Sequence, residues 1–172
     1  MKPLSWPEWV VVTLFGAGHS PVAPATVASA LTCVILWFVP PALRWPGRLL
    51  VLPVFFLGVW LSSRAIGAFR VDTDPRYAAF RRREPKTVDP DPVVIDEFVG
   101  QWITLAAVPH TLLGFTAAFV VFRVFDILKP LGIKWLQDAR GGWGIMLDDV
   151  AAGLWGAVVL VMAFKIIPAF LK

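Results

Sequence analysis

Five acidic residues in three short runs could carry chemistry in this chain. Asp96 and Glu97 open the run Asp96-Glu97-Phe98-Val99-Gly100, Asp126 lies within Phe122-Arg123-Val124-Phe125-Asp126-Ile127-Leu128-Lys129-Pro130, and Asp148 and Asp149 lie within Gly141–Gly153. Each run abuts a stretch otherwise suited to lipid. An Asp at the centre of a membrane helix costs roughly 2.5–3.5 kcal/mol on insertion scales, so a carboxylate kept there usually has a job. Several carboxylates at close range cannot all stay ionised without a cation. Oxygen donors favour Mg²⁺, with Mn²⁺ or Ca²⁺ as alternatives. Two His and one Cys argue against a zinc site of the usual kind. A rival reading treats Asp96-Glu97 and Asp148-Asp149 as helix N-terminal acids that complement the dipole, which explains single acids better than doubled ones.

The neighbours of these acids sharpen the choice. Arg123, Asp126 and Lys129 are spaced by three, so on a helix they share one face. They form either a self-neutralised interfacial stripe or a site in which Arg123 and Lys129 engage phosphate oxygens, Arg as a fork and Lys as a point charge. Gly100 falls on the face of Asp96, and Gly153 on that of Asp149. Small residues there let helices approach closely and bring acids from separate helices together. The loop Gly16–Thr26 offers Gly18, Ser20 and Thr26 ahead of a helix start, a weak anion cradle. His19 reads as structural rather than catalytic. Asp72-Thr73-Asp74 fails as an aspartyl-phosphate motif, because Pro75 follows and no buried strand precedes it.

The elements that must position these residues are membrane helices. Of 172 residues 58% are hydrophobic and only 16% charged, with a mean hydropathy of +0.71, against the usual quarter charged. No formal charge occurs from Trp9 to Leu43, and further uncharged runs cover Leu49–Ser63, Phe98–Phe122 and Val150–Phe164. The expectation is an all-α, polytopic membrane bundle in one domain, residues 1–172, with about five spanning helices and a short N-terminal interfacial or re-entrant helix. A faint likeness to a leader around Ala23-Pro24-Ala25 has too short an apolar core, and cleavage is not expected. The lone Cys33 excludes an intramolecular disulfide.

The short helix is expected near residues 6–16, with spanning helices near 25–38, 48–66 and 145–167. Residues 70–92 form a basic cytoplasmic loop, with a short helix around 75–82. Residues 93–128 read either as one long span or as a hairpin of helices 94–108 and 112–128 turning at Pro109-His110-Thr111. The hairpin is preferred. It puts twelve of the sixteen basic residues inside, in keeping with the positive-inside tendency, and it sets all five acids at cytoplasmic helix ends. Arg64, Arg70, Arg76, Arg81, Arg82, Arg83 and Lys86 then face anionic headgroups. Nucleic acid is not expected as a partner.

Four motifs in one order, Gly16-x-Gly18-x-Ser20-Pro21-x-x-Pro24-x-Thr26, Asp96-Glu97-x-x-Gly100, Phe122-Arg123-x-x-Asp126-x-x-Lys129-Pro130 and Gly141-Gly142-x-Gly144-Ile145-Met146-x-Asp148-Asp149-x-x-Ala152-Gly153, resemble the phosphatidylglycerophosphatase A family over nearly the whole chain. The resemblance implies a Mg²⁺-dependent inner-membrane enzyme that hydrolyses phosphatidylglycerophosphate to phosphatidylglycerol and phosphate. It implies Asp96, Glu97, Asp126, Asp148 and Asp149 as the acidic, metal-holding centre, with Arg123 and Lys129 beside it. Ser20 and Thr26 join them as candidate phosphate contacts. Ala25 and Ala28 stand where the family loop commonly has glycine, and Leu131-Gly132 follows Lys129-Pro130 where a second proline is common.

The expected activity is therefore a lipid phosphate monoesterase at the cytoplasmic interface. A metal-activated water is the preferred nucleophile, with an aspartyl-phosphate route left open. The competing class is a small cation or proton transporter using intramembrane carboxylates. Acids gathered at helix ends beside cations favour phosphate over transport. A phospholipid-synthesising transferase would need a longer Asp-rich signature that is absent.

Overall fold

A computed structural model describes residues 4–40, 43, 47–69, 92–130 and 132–166. The basic loop, its expected short helix and the cluster Arg81–Arg83 lie outside the described residues. All regular structure among the described residues is helical. The order is α1 (Trp6–Val12), a 3₁₀ turn (Ala17–His19), α2 (Pro24–Trp37), α3 (Val51–Phe69), α4 (Ile95–Leu105), α5 (Leu112–Leu128), α6 (Ile133–Leu136) and α7 (Gly142–Val161), which runs on into a π turn (Met162–Ile166).

Local sequence explains most of the boundaries. Ser5 and Glu8 close a capping box on α1, with the Ser5 N–H and hydroxyl each 2.8 Å from Glu8 Oε2. Glu8 also pairs with Arg64 of α3 at 3.1 Å, which pins the short helix against the bundle. Thr111 caps α5 by accepting from the Gly114 N–H at 3.1 Å. That helix stops where Lys129 turns left-handed at φ +44°, just before Pro130, which cannot continue it. The start of α7 is held by Ser63 of α3, whose hydroxyl accepts from the Gly142 N–H at 2.8 Å.

The region 93–128 is two helices, α4 and α5, with the turn at Pro109–Thr111, as the hairpin reading expects. The first of them is the hub, packing against α2, α3, α5 and α7. Although it has only 11 residues, it buries Ile95, Asp96, Glu97, Val99, Gly100, Gln101, Thr104 and Leu105. A helix buried on all sides is normally apolar throughout. This one carries two acids and an amide into the interior, and each needs a reason.

Among the described residues, two helices are long and apolar enough to cross a membrane unaided, Gly47–Ile66 and Gly142–Phe164. Pro24–Trp37 is apolar but shorter, about 21 Å at 1.5 Å per residue. The main apolar core joins Val12, Val59, Leu61, Ala65, Ile95, Val99, Ile145 and Met146, so α1, α3 and α7 close around one side of α4.

Candidate active site

Two glycines set the distance between α4 and α7. A Cβ on Gly100 would lie 2.6 Å from the Asp149 carbonyl oxygen and 2.6 Å from the Phe122 ring, and one on Gly153 would lie 2.5 Å from the Gly100 carbonyl oxygen. The two backbones therefore touch. Thr104 fastens the contact, its hydroxyl lying 3.0 Å from the Gly100 carbonyl and 3.2 Å from that of Gly153. One turn before each glycine stands an acid, Asp96 on α4 and Asp149 on α7, and the crossing brings them together.

Asp96, Glu97 and Asp149 each present an oxygen within 4.8 Å of the others. All three are buried, with exposures of 4%, 9% and 3%. Asp149 Oδ2 is buried with no hydrogen-bond partner. Three carboxylates so close repel one another, and a cation among them relieves that repulsion. This triad could bind a metal ion, and its donors are hard oxygens throughout.

The other two acids have cationic partners, although Asp126 also lies close enough to Asp149 to interact with it. The Arg123 guanidinium donates to Asp126 Oδ2 at 2.5 Å. The Lys129 ammonium donates to Asp148 Oδ2 and stands 4.0 Å from Asp126 Oδ1. Gln137 donates to the same Asp148 oxygen at 2.7 Å. Burial alone would lower the Lys129 amine, but the charges of Asp148, Asp149 and Asp126 outweigh it and raise its pKa, so the amine stays protonated. Asp148 Oδ1 and the Arg123 Nε–H are buried without hydrogen-bond partners. A guanidinium held by one nitrogen with another donor unused is poised to take a second acceptor.

Of the expected site residues, the structure thus joins Asp96, Glu97 and Asp149 in one cluster and Asp126, Asp148, Arg123 and Lys129 in the one beside it. Ser20 and Thr26 are not brought into either by any hydrogen bond among the described residues. The Ser20 hydroxyl donates to the Val22 carbonyl at 2.9 Å, and Thr26 sits half-buried in the first turn of α2. The loop before them does reach the start of α4. The Val94 N–H donates to the Val12 carbonyl at 3.0 Å, and a Cβ on Gly18 would run into the Pro92 backbone. Gln137 and Gln101 are polar residues of the region that sequence reasoning passed over. Gln101 lies four residues after Glu97, so its place on that face was readable, and both of its amide atoms are buried without a partner. No spacing rule links Gln137 to Asp148.

The profile of one family, phosphatidylglycerophosphatase A, matches residues 10–164. The chain belongs to the phosphatidylglycerophosphatase A family. It is 34% identical over 160 residues to the Escherichia coli phosphatidylglycerophosphatase A, covering 91% of this chain and 83% of that one. It is 36% identical over 171 residues to a Bacteroides thetaiotaomicron protein provisionally named phosphatidylinositol-3-phosphatase, covering 95% and 97%. A Haemophilus influenzae phosphatidylglycerophosphatase A is 47% identical over 75 residues, or 42% of this chain and 45% of that one. No solved structure matches. Membership makes the protein a lipid phosphatase and removes the transporter reading.

Proposed function

We propose that the protein is a Mg²⁺-dependent phosphoric monoester hydrolase that converts phosphatidylglycerophosphate and water to phosphatidylglycerol and phosphate. It would work at the cytoplasmic face of the inner membrane as a multi-pass protein of about five spans. The observation that carries this is the buried triad Asp96, Glu97 and Asp149 within 4.8 Å, set beside two cations on a lipid-phosphatase scaffold. Magnesium suits an all-oxygen site whose remaining positions are taken by substrate phosphate and water.

When bound, the ion supplies positive charge to the phosphoryl oxygens as negative charge develops on them. The chain's own groups do the rest. Arg123 offers its unused Nε–H to the phosphate while Asp126 holds the other side of the guanidinium. Lys129 adds a point charge from the α5 terminus, and Asp148, steadied by Gln137, keeps that ammonium in place. Burial of the triad excludes bulk water, which strengthens each of these interactions. The ester P–O bond breaks, the oxygen of water ends on phosphorus, and its proton ends on the lipid hydroxyl. Ser20 and Thr26 stay candidates for a phosphate contact from the loop ahead of α2, and the basic loop 70–92 would draw anionic phospholipid to the site.

Phosphate release from detergent-solubilised protein tests this. Phosphatidylglycerophosphate and phosphatidylinositol 3-phosphate are offered in parallel, with Mg²⁺ and with chelator. Release from phosphatidylglycerophosphate that needs Mg²⁺ is expected. Activity unchanged in chelator, or retained by an Asp148→Asn, Asp149→Asn double variant, contradicts the mechanism, and faster turnover of the inositol lipid reassigns the substrate.

A further inference from the structure

A cavity of about 310 Å³ lies between α2 and α5. Its walls are Ala30, Val34 and Trp37 on one side and Leu112, Phe115 and Phe119 on the other. Val34 and Leu112 are 53% and 75% exposed, so the cavity opens outward from the bundle. Aromatic rings cluster at its Trp37 end. Trp37 stacks on His110 at 4.6 Å and meets Phe115 edge-on at 5.0 Å, and His110 Nε2 lies 3.0 Å from the Trp37 carbonyl oxygen.

We infer that this groove seats one acyl chain of the phosphorylated lipid, an inference that rests on the lipid-phosphatase reading above. One of the helices that line it, α5, also carries Asp126 of the site. Phe119 stands seven residues before Asp126, about 10 Å along α5. A lipid whose phosphate lies against Arg123 and Lys129 must place its glycerol backbone in that interval and its chain beyond it. The lining is apolar where the chain would lie. Its volume is at the low end for a whole small-molecule site, which suits one chain of a ligand whose head is held elsewhere.

Two rim positions allow the groove to be filled without touching the core, since Ala30 and Thr116 are both exposed. Ala30→Phe and Thr116→Phe are expected to raise KM for dioleoyl phosphatidylglycerophosphate about tenfold while leaving the dihexanoyl lipid unaffected. Val158→Phe, on the exposed face of α7, serves as the control and should change neither. A dioleoyl analogue with a diazirine near the chain end should label α2 and α5 in wild-type protein, with labelling reduced by unlabelled phosphorylated lipid. That readout needs no turnover, so it separates this inference from the activity itself. Equal KM changes for both lipids, no change for either, or labelling spread evenly onto the α7 face would overturn the assignment. Wild-type protein that is labelled in the groove but releases no phosphate leaves the groove standing and refutes the activity.

Discussion

The two acidic groupings of this bundle differ in the contacts seen among the described residues. Asp126 and Asp148 are matched by Arg123 and Lys129, two charges of each sign held by direct contacts. Asp96, Glu97 and Asp149 are crowded onto one another within 4.8 Å. The first arrangement is balanced by the chain itself. The second gathers three carboxylates that could bind a metal ion, and under the proposed function the first would face the substrate's phosphate.

The largest expected effect comes from the crowded cluster. Asp149→Asn should lower kcat/KM on the order of 10³-fold, since it removes a group holding charge against the reacting phosphate. In chelator the same variant should melt no lower than wild type, because like-charge repulsion has been relieved, and it should lose any stabilisation by Mg²⁺. A wild-type-sized Mg²⁺ shift in this variant would erase the distinction between the clusters.

The balanced cluster should respond with the other sign. Asp126→Asn leaves the nearly buried Arg123 without its counter-charge and should cost about 3 kcal/mol, read as a lower melting temperature with or without metal. If Asp126→Asn also melts no lower than wild type in chelator, both acids belong to one site. The glycine crossing comes next. Gly153→Ala places a methyl 2.5 Å from the Gly100 carbonyl oxygen and should cost about 2 kcal/mol through overpacking, with Mg²⁺ affinity weakened as the helices part. The smallest effect belongs to Gln137→Leu. Losing one hydrogen bond to Asp148 should cost about 1 kcal/mol, seen as a several-fold rise in KM with kcat little changed. A collapse of kcat instead would move Gln137 into the chemistry.

Legibility in the sequence followed the range of the interactions. The start of α2 and the turn at Pro109–Thr111 were readable because Pro, Gly and Thr act on their own neighbours. Gly100 and Gly153 were readable as close-approach positions because an acid stands four residues before each, on the same helical face. The spans were less legible. Among the described residues only two helices reach the length and apolarity to cross alone, since α4 is short and lies in the middle of the bundle, where its polar residues blur the hydropathy pattern. The loop contacts expected of Ser20 and Thr26 depended on how a strained segment folds. Leu14, Phe15, Gly16 and Ala23 all take positive φ, and spacing does not convey that geometry.

By itself the amino-acid order settled the helical class, the set of acids and the two cations beside them, because apolar periodicity and charge placement are local properties of the chain. Only the tertiary structure decided which acids meet. Adjacent residues on a helix point about 100° apart, so Asp148 and Asp149 leave the same turn in different directions. One meets Lys129 and Gln137, and the other meets Asp96 and Glu97, because the glycine crossing of α4 and α7 fixes how the helices are rotated against each other.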